Sequence, residues 1–378
     1  MSEPAPESPE RIAEALRARI RDAGPVSVAA FMTEALFDPV AGFYATRDPL
    51  TAGRDFITAP EISQMFGEVI GLWTVQAWRD LGAPARLELI ELGPGAGTMM
   101  SDMLRVLRVA PDALAAARVT LVEASAALKM VQGRTLAEAP VPVAWASALE
   151  RIAPGPSVIL ANEFLDCLPV RQAVKSGGVW RERMIGLDAD DETRFAFVLG
   201  PALAGETDLI APELLDAEEG TLVELRPGDA QMADMLAGRL HAAPGRALFI
   251  DYGPSRPEPG DTLQAVREHE KVDPLALPGS ADITARVDFA QFARACAAKG
   301  LDVHGPAPQA GFLNGLGLEQ RAAALMANAQ TEEARRRVAR QLHRLTDPGE
   351  MGDLFKVIAI SSPGLPPPAG LDPWSEEN

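Results

Sequence analysis

Cysteine is scarce: only Cys167 and Cys296 occur in 378 residues. Two thiols so far apart give neither a disulfide framework nor the paired spacing of a zinc site. The four histidines, His241, His269, His304 and His343, form no H-x-x-x-H pair, so a metal is not expected. Basic residues are outnumbered, Lys+Arg 35 against Asp+Glu 53, for a net charge of −18. There is no Lys/Arg-rich run, and a surface of that sign repels phosphates, which argues against nucleic acid as a partner. Such a surface would draw a basic protein or an arginine side chain, although acidity that serves only solubility is the commoner case. No apolar run approaches membrane-spanning length, so membrane insertion is not expected. The start, Met1-Ser2-Glu3-Pro4, is acidic and carries no signal-peptide core, which makes the cytoplasm the expected compartment.

Two nucleotide signatures are also missing. The pattern G-x-x-x-x-G-K-[ST] occurs nowhere, and G-x-G-x-x-G fails because Thr98 holds its sixth position. What is present is Leu87-Glu88-Leu89-Ile90-Glu91-Leu92-Gly93-Pro94-Gly95-Ala96-Gly97. An apolar strand ends on Glu91, a loop follows with glycine at every second position, and Met100, Met103, Leu104 and Leu107 continue at helical spacing. Glycines let a backbone pass close to a ligand, and a strand–loop–helix of this kind binds a nucleotide-like cofactor at the carboxyl edge of a parallel sheet. The motif E-x-G-x-G-x-G resembles the first motif of class I S-adenosylmethionine (SAM) methyltransferases. SAM has no phosphates, and Glu91 suits its ammonium group, with Gly93, Gly95 and Gly97 passing around the methionine part.

With 47% apolar and 23% charged residues the chain reads as soluble and globular. Ser8-Pro9 starts a helix with Ile12, Leu16 and Ile20 on its buried side, and a second helix covers Val28–Leu36. Thr58 and Glu61 form a T-x-x-E capping box ahead of an amphipathic helix through Trp73, while the polar loop with Arg54 and Asp55 could form a lid. Val119–Val122 is a second strand; Glu123 at its tip is placed to accept from both ribose hydroxyls. Pro142–Trp145 reads as a third strand, with Trp145 in the core and Ser147 and Ala148 beside the adenine. Ser157–Ala161 reads as a buried fourth strand ending in Asn162-Glu163, where Asn162 faces cofactor or substrate and Glu163 could hold a cationic acceptor. From Val170 the pattern changes, and Ser176-Gly177-Gly178 marks a hairpin in an inserted substrate-binding or dimerisation lobe, the latter giving a homodimer. Asp251 ends a fifth strand; Asp282 or Thr284 would cap a helix; Phe355–Ser361 closes the sheet, and a mobile tail follows from Pro363. The expected division is 1–80 as an amino-terminal helical segment and lid, 81–170 as the SAM-binding half-sheet, 171–245 as the inserted lobe, 246–362 as the remaining sheet, and 363–378 as the tail.

These segments together resemble the MidA-like methyltransferases, a family that includes the mitochondrial complex I assembly-factor arginine methyltransferase. The likeness rests on Gly42-Phe43-Tyr44, the run Asp55–Glu68, Glu91–Gly97, Asn162–Asp166, Asp251-Tyr252-Gly253, Ala281–Thr284 and Met351–Val357, in the family's order along nearly the whole chain. It implies an α/β fold, a seven-stranded, Rossmann-like class I SAM-methyltransferase sheet with a helical amino-terminal segment and an inserted α+β lobe. It implies SAM as cofactor and methylation of arginine in a partner protein, a complex I subunit in the mitochondrial member. For such transfer Glu163 is the leading acceptor-orienting residue, with Asp55, Glu61 and Asp251 behind it. Two other readings stand beside this one: an assembly factor that holds SAM without essential catalysis, and a small-molecule methyltransferase.

Overall fold

The computed structural model describes residues 9–46, 58–205 and 207–375. The chain forms two compact units, one from 57–165, 231–255 and 292–378, the other from 1–56, 166–230 and 256–291.

The first unit carries seven strands: β1 (Leu87–Leu92), β2 (Ala117–Val122), β3 (Val143–Ala146), β4 (Ser157–Asn162), β5 (Gly245–Tyr252), β6 (Asp302–Pro308) and β7 (Phe355–Ser361). They lie in the order β6-β7-β5-β4-β1-β2-β3. The five strands from β5 to β3 are mutually parallel, and β7 runs antiparallel to both its neighbours. In β1 only Glu88 is not fully buried, the continuous apolar pattern of a central parallel strand covered on both faces. The chain lays β2 and β3 on one side of β1, then returns to place β4 on the other. That reversal opens a crevice at the carboxyl tips of β1 and β4, where ligands of such sheets bind.

Helix α1 (Gln64–Asp80) packs on α2 (Thr98–Leu107), with Phe66, Ile70 and Trp73 facing Met100, Met103 and Leu104 in one core. Two glycines permit the approach. A Cβ on Gly67 would stand 2.7 Å from Asp102 Cβ, and one on Gly71 would stand 3.1 Å from Met103 Cα. Beside this contact the buried Glu68 accepts from Arg321 at 2.7 and 3.1 Å and from Arg105 at 3.3 Å. The helix begins differently from the expected capping box. Thr58 precedes a separate short helix, Ala59–Ile62, and its side chain makes no cap bond. The chain turns extended at Ser63, whose Oγ accepts from Met65 N at 3.2 Å and caps α1.

Residues 363–375, expected as a mobile tail, pack instead along β6. Trp374 N donates to Val303 O at 3.0 Å, Gly305 N to Asp372 O at 2.8 Å, and Leu371 is buried. The reason is Arg246, a buried cation on β5 that pairs with Asp80 at 2.6 Å and donates to Pro366 O, so the tail completes its hydrogen bonding.

The second unit holds helices Pro9–Ala23 and Val28–Phe37 and an antiparallel sheet of strands 26–27, 171–176, 179–187, 195–202 and 222–225. Ile12, Leu16 and Ile20 are buried, as the sequence indicates. The hairpin turns at Gly177 and Gly178 with φ of 65° and 77°, the paired left-handed conformation that suits strand twist. Segments 9–46 and 256–291 belong to this unit together with 166–230, while 231–245 falls in the first unit. Asp282 and Thr284 cap no helix: Asp282–Thr284 is a strand of a three-stranded sheet, and Tyr44 donates to Asp282 Oδ1 at 2.8 Å. Among the described residues no helix is long and apolar enough to cross a membrane.

The α1–α2 contact yields a stability test. Gly67→Ala should cost about 1–3 kcal/mol, because backbone and Asp102 must shift to admit the methyl group. Gly238→Ala, in a helix with nothing within 4 Å of the new Cβ, should be neutral or stabilising by about 0.5 kcal/mol. Urea midpoints of the two variants should move in opposite directions; a neutral Gly67→Ala would refute the packing account.

Candidate active site

Gly93, Gly95 and Gly97 follow β1 with φ of 61°, 52° and 80°, so each occupies a conformation strained for any other residue. Gly93 N donates to Val122 O at 3.2 Å and Gly97 N to Pro94 O at 2.8 Å, which folds the loop back over β2 before α2 begins. A Cβ on Gly95 would meet nothing within 4 Å, so the loop's middle faces open space. Glu91 is 3% exposed, and its Oε2 has no hydrogen-bond partner. Burial alone pushes its carboxyl up to about 8.

At the tip of β2, Glu123 is half-buried. Its Oε1 accepts from Ser125 N at 2.8 Å and its Oε2 from Gln132 Nε2 at 3.1 Å. Its carboxyl is raised, because burial outweighs these hydrogen bonds. The same Gln132 amide donates to Gly95 O at 2.8 Å, so the acid and the glycine loop share one bridge. Trp145, expected in the core, is 37% exposed on β3, and its Nε1 donates to Gln132 Oε1 at 2.8 Å. A short edge strand leaves the ring one solvent face. Ser147 is exposed and Ala148 half-buried, just past β3 on the same carboxyl edge.

At the tip of β4, Asn162 Nδ2 donates to Glu163 Oε1 at 3.0 Å, while Asn162 Oδ1 is buried without a partner. Glu163 holds φ of 52°, a left-handed conformation uncommon for a side chain of this kind. Its N–H donates to Ile250 O at 2.8 Å, and its Oε1 also accepts from Ala59 N at 3.3 Å. No cation pairs with it among the described residues. Burial first, and the charge of Asp251 second, push its carboxyl up to about 8. Asp251 itself is committed to the backbone: Oδ2 accepts from Phe164 N at 3.0 Å and Leu165 N at 2.8 Å, and Oδ1 from Tyr252 N at 2.9 Å. It holds the turn that carries Glu163, and its charge lies close enough to raise the Glu163 carboxyl. Glu61 is exposed on the short helix whose first N–H meets Glu163, and its charge adds to the upward shift there. Asp55 lies outside the described residues.

The site therefore gathers Glu91, Gly93, Gly95, Gly97, Glu123, Asn162 and Glu163 on one sheet edge. Sequence reading missed Gln132. The available signal was an amide four residues beyond Leu128, on the stripe that α3 (Ala126–Thr135) buries.

Comparison with known proteins fits this geometry. Residues 69–307 match the model of a family of S-adenosyl-L-methionine-dependent methyltransferases. A Drosophila melanogaster protein named as the homolog of protein arginine methyltransferase NDUFAF7, mitochondrial, is 37% identical over 92% of this chain and 84% of its own. The human protein arginine methyltransferase NDUFAF7, mitochondrial, is 32% identical over 90% and 81%. A Burkholderia thailandensis protein in a crystal structure with bound S-adenosyl-homocysteine is 28% identical, with a TM-score of 0.83 and 100% of both chains covered. The relatives' names overturn the cytoplasmic placement and point to a mitochondrial setting. Looking for an apolar leader core tests only the secretory address, since mitochondrial leaders are amphipathic and arginine-rich.

The residues present fit SAM. Glu91 offers an unpartnered buried oxygen to a cation, Gly95 leaves space, and Glu123, bonded by Ser125, Gln132 and Ala124, keeps acceptor capacity for a hydroxyl. The orphaned acid also has a stability signature. Glu91 ordinarily ionises near 4.5 and in the fold near 8, so folding takes up a proton between those values. Its contribution is complete below 4.5 and is lost as pH rises toward 8. Glu91→Gln should abolish that loss, and its advantage over wild type in melting temperature should widen from pH 5 to pH 8. Parallel curves for the two proteins would contradict the unpaired burial.

Proposed function

The chain belongs to the family of S-adenosyl-L-methionine-dependent methyltransferases, and we propose that its acceptor is an arginine side chain of a partner protein. The observation that carries this is Glu163, a half-buried carboxyl at the switch-point crevice with no cation beside it among the described residues. The names of the relatives support arginine as acceptor. The likeness to the complex I assembly-factor methyltransferase supports a respiratory complex I subunit as the partner.

When bound, SAM supplies an electrophilic methyl group on a sulfonium. Gly93, Gly95 and Gly97 would pass around its methionine part, Glu91 and Asn162 Oδ1 would meet its polar groups, Glu123 would accept from the ribose hydroxyls, and Ser147 and Ala148 would border the adenine. Glu163 gives up its proton to solvent when the guanidinium arrives and forms a charge-assisted pair with it. The pair points one guanidinium nitrogen at the methyl group, and such positioning supplies most of the lowering of the barrier. As the N–C bond forms and the S–C bond breaks, that nitrogen releases a proton, and the Glu163 carboxylate is the nearest base for it. Asp251 fixes the turn beneath Glu163, and Glu61 adds negative charge at the entrance.

This reading fixes a pH profile. Ionised Glu163 is the form that pairs with the acceptor, so kcat/KM for the acceptor should rise about tenfold per pH unit from pH 6 and level off above about 8. Glu163→Gln should flatten the profile and lower turnover by roughly 10²–10³. Its affinity for S-adenosyl-homocysteine should stay within about twofold, since Glu163 pairs with the acceptor rather than the donor. Unchanged turnover in that variant would sink the assignment. The acceptor class is checked by radiolabelled SAM in a lysate lacking the protein, where label should appear in protein arginine. Label in a low-molecular-weight metabolite would replace the protein acceptor with a small molecule.

A further inference from the structure

Gln132 is fully buried on α3, and one amide reaches three elements. Nε2 donates to Gly95 O at 2.8 Å and to Glu123 Oε2 at 3.1 Å, while Oε1 accepts from Trp145 Nε1 at 2.8 Å. Its stem also packs under the loop: a Cβ on Gly97 would stand 3.6 Å from both Gln132 Cα and Cγ. The indole N–H settles which way round the amide lies. Exchanged, the amide would set its NH₂ against a donor and its oxygen against two acceptors.

We propose that Gln132 is a positioning residue for the nucleoside half of the cofactor. It fixes the plane of the Glu123 carboxylate and ties it to the glycine loop. Glu123 then has Gln132 on one oxygen and Ser125 N on the other, with the Ala124 amide also bonding the carboxylate, and presents its remaining acceptor capacity to the ribose in a single orientation. Trp145 is the outer latch, because its N–H prevents the amide from rotating. This rests on the methyltransferase reading, and the readout is chosen so that the two can fail separately.

The test is calorimetric titration of the full chain with S-adenosyl-homocysteine, alongside steady-state kinetics in SAM. Gln132→Met keeps the length and packing of the side chain and removes its donors. It should raise Kd and the KM for SAM about tenfold, with kcat within about twofold, as expected for lost hydrogen bonds to a charged group. Trp145→Phe should raise Kd by a smaller factor. Gln132→Glu brings a third acceptor against Gly95 O and Glu123, so its Kd should rise furthest at pH 8 and recover toward pH 6, where the acid donates O–H as the amide donates N–H. The charged groups facing that position are Glu123 from β2 and Lys129 on α3 itself; the loop presents a carbonyl and β3 an indole. A purely structural role would lower melting temperatures without the pH recovery or the split between KM and kcat. If wild type binds and Gln132→Met and Trp145→Phe bind equally well, the clamp is wrong and the methyltransferase reading survives. If wild type does not bind, both fall.

Discussion

A carboxylate taken out of water is tolerated only when it meets a positive charge or gives up its own. Four buried acids of the scaffold meet that constraint with a cation, and Asp251 meets three backbone amides instead. Buried Glu68 has Arg105 and Arg321, Asp102 has Arg105, Glu182 has Arg171, and Asp229 has Arg226. Glu91 and Glu163 break the pattern at two adjacent strand tips, and both carboxyls rise to about 8 in consequence. Two acids without a cation at neighbouring strand tips are poorly explained as scaffold. They are well explained as sockets for cations that arrive from outside: an ammonium at one and a guanidinium at the other.

The scaffold holds those sockets at some cost. Glu163 sits in a left-handed conformation, which persists only when surrounding bonds over-determine it. Three do so: its own N–H to Ile250 O, and Asp251 gripping the next two backbone amides. On the other side of the crevice, Gly93 leaves room for the Phe164 ring, which a Cβ would approach to 3.1 Å. The glycine loop and the Glu163 turn are thereby packed into each other. On the proposed assignment, donor and acceptor sides of the reaction share this one edge, as catalysis by positioning requires.

How much of this was legible in sequence depended on whether the signal was local. The loop, the acids at the tips of β1, β2 and β4, and the double-glycine hairpin are each written within a few consecutive residues. The parallel core followed from unbroken apolar runs. What failed to show was pairing at a distance. Thr58 looks like a cap until the chain is seen to bend at Ser63. The tail looks disordered by composition until Arg246 is seen to reach Pro366 O. Asp251 reads like a second acceptor acid, and only its three backbone amides mark it as a brace. Gln132 and Trp145 carry no motif, because an amide–indole bond across thirteen residues leaves no periodic trace.

The chemistry of the crevice also bears on why the acceptor should be arginine and not simply any cation. The chain as a whole is strongly acidic, which concentrates every basic partner near its surface and discriminates little among them. Glu163 sets a stricter condition, because near neutral pH it must first lose a proton inside a poorly solvated site. A cation that induces this loss has to surrender its own hydration and then satisfy both carboxylate oxygens. A guanidinium is weakly hydrated and planar, with donors in a fork that matches a carboxylate. An ammonium is compact and strongly hydrated, and it meets the carboxylate as a point charge. The proposed preference for arginine then follows from the same desolvation at Glu163, which no cation of the described residues offsets.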